Sequence, residues 1–182
     1  LVSLGHSRIA QITGPVAEDC VRERDAGYRA ALRRAGLPHE PRNTVAGDWS
    51  ASSGYNGLRQ LLNRNPAVSA VIAQNDRMAV GAIRAARDLG RRVPHDLSVV
   101  GFDDMPLASY FDPPLTTMRQ DTLAIGRVCA ALLIDVLDRP DAPPQSVRLD
   151  AELVVRQSSA PPAAPSVDAR SGEPPAPPSH RR

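Results

Sequence analysis

The residues that could do chemistry lie where apolar runs end. Val71-Ile72-Ala73 leads to Asn75-Asp76, Leu97 to Phe102 leads to Asp103-Asp104, and Asn43 to Gly47 leads to Asp48-Trp49. An amide both donates and accepts, as vicinal hydroxyls require, and a carboxylate accepts from hydroxyls. A tryptophan offers a flat apolar face suited to the C–H face of a sugar. Catalysis fits the same residues poorly. Neighbours leaving a strand point in different directions, so Asp103 and Asp104 make a poor acid–base pair. His6, His39, His95 and His180 are scattered without metal-ligand spacing. SASSG lacks the leading glycine of a nucleophile elbow, and no G-x-G-x-x-G fingerprint occurs. The expectation is a binding module, not an enzyme, with no metal and no cofactor.

The elements that would position these residues follow from periodicity. Arg8 to Thr13 reads as a first strand closed by Gly14-Pro15. A helix from about Cys20 to Ala35 follows, with Val21, Tyr28 and Leu32 on one face and Gly36 as its stop. Asn43 to Gly47 is a second strand. Ser50 caps a helix that turns Tyr55, Leu58, Leu61 and Leu62 inward. The run at Val71 has no alternation, as expected for a strand covered on both faces. Asp76 is expected to cap the next helix, with Ala79, Ile83 and Ala86 at helical spacing; Gly90 and Pro94 end it. Leu97 to Phe102 is a further buried strand. The repeat β-α-β-α-β-α-β calls for an α/β layered parallel sheet, and ligands sit at the carboxyl ends of such strands.

After Asp104 the rhythm changes. Met105 to Pro114 reads as an irregular or briefly helical loop, and Thr116 to Gln120 as a short extended segment. Asp121 caps a long helix to about Leu137, whose stripe is Ile125, Cys129, Leu132, Leu133 and Val136. Short strands are expected near Val147 to Leu149 and Leu153 to Val155, and a disordered proline-rich tail from Ser158 onward. The long helix has no strands left to cover. The chain therefore reads as the C-terminal part of a longer protein, with pieces of a second lobe.

Composition limits the alternatives. Of 182 residues, 42% are hydrophobic but only 3% aromatic, so aliphatic side chains and alanine must fill the core. All 22 basic residues are arginine, yet the net charge of +2 is too small to argue for nucleic-acid binding. No apolar run approaches a membrane span and no secretory signal is visible. Cys20 and Cys129 fall on separate helices and read as reduced thiols, consistent with a cytoplasmic setting.

GHSRIAQITGP, RERDAGYRAALRRAGLP, GDWSASSGY, QNDRMAVGAIRAARDLGRRVP, DLSVVGFDDMPLASYFDPPLTTMRQD and ELVVRQSSAPP follow one another in the order and spacing of the LacI/GalR family of transcription regulators. The chain resembles that family from Gly5 to Pro162, and GDWSA resembles the lactose repressor branch. The resemblance implies a type I periplasmic-binding-protein-like fold. Residues 1–116 would form the C-terminal lobe, 117–150 a return helix and strand of the N-terminal lobe, 151–157 a final strand and 158–182 the tail. It places effector contacts at Arg24, Trp49, Asn75, Asp103 and Gln120, with Cys20 where some sugar-binding members carry serine. It places a homodimer interface on Met78, Val80, Ile83 and Phe111.

The implied function is ligand sensing by a repressor. A small sugar held between two lobes would alter operator DNA affinity through a helix-turn-helix headpiece that these residues do not contain. The implied setting is cytoplasmic, without membrane contact. The competing reading is the sugar-binding component of a transport system, which shares the fold. The PPLTTMRQD block is more typical of the repressor branch.

Overall fold

The Val71 run shows no alternation because it lies inside a parallel sheet, between two neighbouring strands. The computed structural model describes residues 1–143 and 145–163. Its strands are β1 (Ile9–Thr13), β2 (Thr44–Ala46), β3 (Ala70–Ala73), β4 (Ser98–Asp103), β5 (Thr116–Arg119) and β6 (Glu152–Val154). They lie in the order β2-β1-β3-β4-β5-β6. The first five are parallel, with Ile12 beside Ala73 and Val71 beside Val99; β6 returns antiparallel, with Val154 beside Thr117. The helices are α1 (Asp19–Arg34), α2 (Ala51–Arg64), α3 (Asp76–Asp88) and α4 (Thr122–Asp138). The fold is α/β with a layered, mostly parallel sheet, as the apolar runs require.

The chain crosses from β2 to β3 over β1, so α1 covers one face while α2 and α3 cover the other. The α2–α3 side holds the larger core: Ile12, Leu58, Leu61, Val71, Met78, Val99 and Leu115 are wholly or almost wholly buried. Those helices touch closely because Gly54 faces the Met78 backbone and Gly81 faces the Ala51 carbonyl; a Cβ at either site would collide with backbone. On the other face, Tyr28 and Leu32 of α1 pack on Ile9 and Ala70, and the Tyr28 hydroxyl donates to the Ile9 carbonyl at 2.8 Å. Beyond α1, no helix among the described residues covers that face. A recess of about 540 Å³ runs along Val100, Phe102, Met118, Leu153 and Val155.

Several expectations require correction. Asn75, not Asp76, caps α3: its extended backbone lets Oδ1 accept from Met78 N at 2.8 Å. Asp76 is already helical and turns inward. Its Oδ1 accepts from Thr117 Oγ1 at 2.5 Å and its Oδ2 from Met105 N at 2.8 Å. No strand forms over residues 147–149, which are exposed and have no neighbouring strand to pair with. β5 straddles the boundary expected at residue 116 and belongs to the same sheet as β4. The start of the expected tail is ordered. Val99 N donates to the Ser158 carbonyl, Ser158 Oγ donates to the Val99 carbonyl, and Thr116 N donates to Ser158 Oγ, which wedges this residue between β4 and β5. His6 Nε2 lies 2.8 Å from the Ala160 carbonyl and secures the segment further. The remainder of the expected tail, residues 164–182, lies outside the described residues.

Asp121 does cap α4, accepting from Ala124 N at 2.9 Å. No residue of α4 is buried.

Candidate functional site at the carboxyl ends of the strands

Every parallel strand from β1 to β4 points its carboxyl end to the same edge of the sheet, so the segments that follow them are brought together. After β1 comes Gly14, after β2 Asp48-Trp49, after β3 Gln74-Asn75, and after β4 Asp103. The first turns of α1 and α3 start at this edge.

Trp49 is held from several sides. Its backbone is left-handed, with φ at 69°. The preceding Asp48 organises the turn by accepting from Ser50 N at 2.9 Å. Hydrogen bonds from Ser50 and Ser53 pull the Asp48 carboxyl down to about 2. The indole lies across Gly14, where a Cβ would occupy the ring position. Its Nε1 donates to Glu18 Oε1 at 2.9 Å. The Asn75 amide Nδ2 donates to the Trp49 carbonyl at 3.0 Å. Asn75 is thus 8% exposed, with each end of its amide already engaged once.

Arg24, in the second turn of α1, spans the edge. Its guanidinium lies 3.7 Å from the Phe102 ring centroid and 5.8 Å from that of Trp49, and it donates to the Gln74 carbonyl. Stacking on aromatic faces suits this planar cation and leaves its remaining donors at the rim. Asp103 is exposed at the end of β4, with φ at 117°. Partial burial of its carboxyl raises its pKa, while the Arg24 charge and the Gln120 hydrogen bond pull the other way. Gln120 Nε2 donates to Asp103 Oδ1 at 3.0 Å, so the segment after β5 closes against the β4 end. Cys20 is exposed at the start of α1, its thiol 3.7 Å from Glu18 Oε2.

The sequence-expected residues therefore border one edge of the sheet. Three residues there had not been singled out. Glu18 orients the indole, Phe102 carries Arg24, and Gln74 accepts the Gly14 N–H at 3.3 Å through Oε1. Gln74 and Phe102 could have been found from their place at strand ends; Glu18 has no local signal. Positive φ at a non-glycine residue costs free energy and concentrates where a site demands it. Trp49, Asp103 and Asp104 all carry it.

The edge is an open wall rather than an enclosed cavity. The large recess on the α1 face of the sheet is elsewhere and is lined almost entirely by apolar groups. Of its hydroxyls, Tyr28 is bonded to the Ile9 carbonyl and Thr116 to Ser159, so the recess does not suit a polyhydroxylated ligand. Among the described residues, no group of three or more His, Cys, Asp or Glu side chains could hold a metal ion, and no helix is long and apolar enough to cross a membrane.

On the dimer face, Met78 must be corrected. It is fully buried between α3 and the neighbouring α2, and its sulfur faces Gly47. Val80, Ile83 and Phe111 line a shallow depression with Arg84, Arg87 and Asp112.

A layered sheet with polar strand ends and an aromatic clamp defines a binding domain of the periplasmic-binding-protein class. The family described as "Periplasmic binding protein-like domain" matches residues 1–159. The chain belongs to this family, in the form found in LacI-type regulators. The HTH-type transcriptional regulator CelR of Thermobifida fusca is 41% identical over 158 residues, covering 87% of this chain and 46% of CelR. The ribose operon repressor of Escherichia coli K12 is 40% identical over 159 residues, covering 87% of this chain and 48% of the repressor. A solved CelR–cellobiose complex superimposes with a TM-score of 0.84 at 41% identity, covering 87% of this chain and 49% of that one. A dimeric Lac repressor gives 0.81 at 38% identity, covering 89% and 59%. The chain spans about half the length of the curated relatives it matches.

Proposed function

We propose that this chain is the ligand-sensing and dimerising part of a LacI-type transcriptional repressor. A small sugar or sugar derivative binds against the carboxyl ends of β1 to β4. Arg24, Asp103 and Gln120 recognise hydroxyls, Trp49 stacks on the sugar ring, and Asn75 supports Trp49 while offering its remaining N–H. Cys20 borders the same wall. The observation that carries this reading is the meeting of Arg24, Trp49, Asp103 and Gln120 at one edge. Because CelR has been solved with cellobiose, a β-linked glucose disaccharide is the first ligand to try.

The six-stranded sheet with α1 to α3 acts as one lobe, and α4 with the segment up to residue 150 belongs to the other. Bound sugar favours one arrangement of the lobes and shifts operator affinity by its differential binding to the two states. The pivots are the antiparallel segments around Thr117–Gln120 and Asp150–Leu153. The protein acts in the cytoplasm, without catalysis and without a cofactor. It reaches operator DNA through a headpiece outside these 182 residues. Two copies meet isologously through Val80, Ile83 and Phe111, with Arg84 and Arg87 at the rim. The transport-component reading has less support, because the relatives named above are regulators.

Trp49 is the single tryptophan and reports on its own site. Titration with cellobiose, ribose and hypoxanthine should give a saturable emission change with a sugar, weakened about tenfold or more in Asp103→Asn by loss of a charged acceptor. Response to hypoxanthine alone, or an unchanged affinity in the variant, overturns the assignment.

A further inference from the structure

Asp103 and Asp104 are consecutive non-glycine residues with left-handed backbone, at φ 117° and 53°, where β4 leaves the sheet. Such a turn persists only if its surroundings hold it. The Asp104 side chain, 8% exposed, is where it is held. Its Oδ2 accepts from Arg119 Nε at 2.7 Å, and Arg156 Nη2 lies 2.7 Å from Oδ1 as an ion pair without hydrogen-bond alignment. Arg119 ends β5, and Arg156 follows β6. Arg119 also reaches Glu152 on β6 at 3.3 Å. Arg156 donates to the Leu115 carbonyl at 2.7 Å, and its backbone N–H donates to Thr116 Oγ1 at 2.9 Å. Burial alone would raise the Asp104 carboxyl; the hydrogen bond from Arg119 and the charges of Arg119 and Arg156 bring it below its ordinary value. One ionised carboxylate therefore joins the β4 turn to both strands that lead to and from α4.

We propose that Asp104 is a positioning residue that makes the Asp103 turn and the β5–β6 pair move as one unit. Asp103 touches the ligand in the effector reading, on which this inference rests for what moves the turn; Asp104 acts through its two arginines. The coupling is reciprocal, so loosening β5–β6 also loosens the Asp103 turn.

Amide hydrogen exchange on the 182-residue chain tests this without any ligand. In Asp104→Asn, exchange should rise by about tenfold or more at residues 103–105, 116–119 and 152–154, while amides of β1 and β3 stay within about twofold. If that variant fails to fold, Arg119→Gln and Arg156→Gln each remove one arm, and each should loosen the residues 103–105 as well as its own strand. Unchanged exchange in these segments, or a uniform rise across the whole sheet, overturns the proposal. A second arm adds cellobiose. In the wild type the sugar should protect residues 152–154 as well as 103–105; in Asp104→Asn, at cellobiose concentrations that saturate the Trp49 emission change in each protein, the protection of 152–154 should vanish. Retained protection of 152–154 in the variant overturns the coupling. If cellobiose does not bind the wild type, the effector reading loses its first ligand, and the ligand-free exchange still decides the role of Asp104.

Discussion

Helices α2 and α4 carry similar sequence signals and meet different fates. Each has a polar N-cap, Ser50 and Asp121, whose side chain accepts the N3 amide, and each has a leucine-rich stripe. In α2, Leu58 and Leu61 are fully buried between the sheet and α3. In α4, Leu133 is 61% and Leu137 71% exposed, and no residue is buried. Capping and amphipathicity specify a helix; only a facing surface turns its stripe into stability. The sheet with α2 and α3 packed on one face holds the larger core and bears the candidate site at its edge. By contrast, the apolar face of α4 is exposed among the described residues.

The sharpest way to break this contrast is to truncate a leucine in each helix. Leu61→Ala should cost about 2–5 kcal/mol, and Leu133→Ala less than about 0.5 kcal/mol, in urea denaturation of the chain. Equal losses would mean that α4 is packed as α2 is.

A smaller effect tests the ordered segment after β6. His6 is buried among Ser69, Ser98 and the Ala160 carbonyl. His6→Ala should cost about 1–3 kcal/mol by leaving polar partners unmatched. Burial lowers the His6 pKa, opposed by the bond to Ala160. Its neutral form thus contributes stability that is present above the ordinary value of 6.5 and is lost as pH falls through the lower folded value. Urea melts at pH 7 and pH 5 should show this loss in the wild type and not in the variant.

Gly14→Ala should push the indole off its seat, remove stacking worth about 0.5–1.5 kcal/mol and weaken sugar binding up to about tenfold. Trp49 emission should shift before any sugar is added. Asp121→Ala should cost about 1 kcal/mol, confined to α4. Helical circular dichroism should fall slightly while the cooperative melt of the sheet stays in place.

Much of the site-bearing wall was legible in the sequence because its signals are local. The Val71 run without alternation and the apolar run Leu97 to Phe102 placed β3 and β4 as buried parallel strands, and Ser50, Gly36 and Gly90 marked helix ends. What was not legible depended on distant partners. In Asn75-Asp76, either residue could have capped α3; the choice is made by Thr117, whose hydroxyl draws Asp76 inward. Ser158 opens a proline-rich composition, yet Val99 and Thr116 take it into the sheet. Met78 falls on an apolar helix face, and only the close crossing at Gly54 decides that it points into the core. At the site, strand-end position and residue chemistry pointed to Trp49, Asn75 and Asp103, whereas Glu18 acquires its role through a tertiary contact with the indole.

The central claim is that ligand binds at the carboxyl ends of the strands and not in the larger apolar recess behind the sheet. Backbone amide NMR of the chain titrated with cellobiose tests it directly. Shifts should cluster at Gly14, Arg24, Trp49, Asn75, Asp103 and Gln120. Shifts centred on Val100, Met118 and Leu153, with those strand ends unmoved, would contradict it.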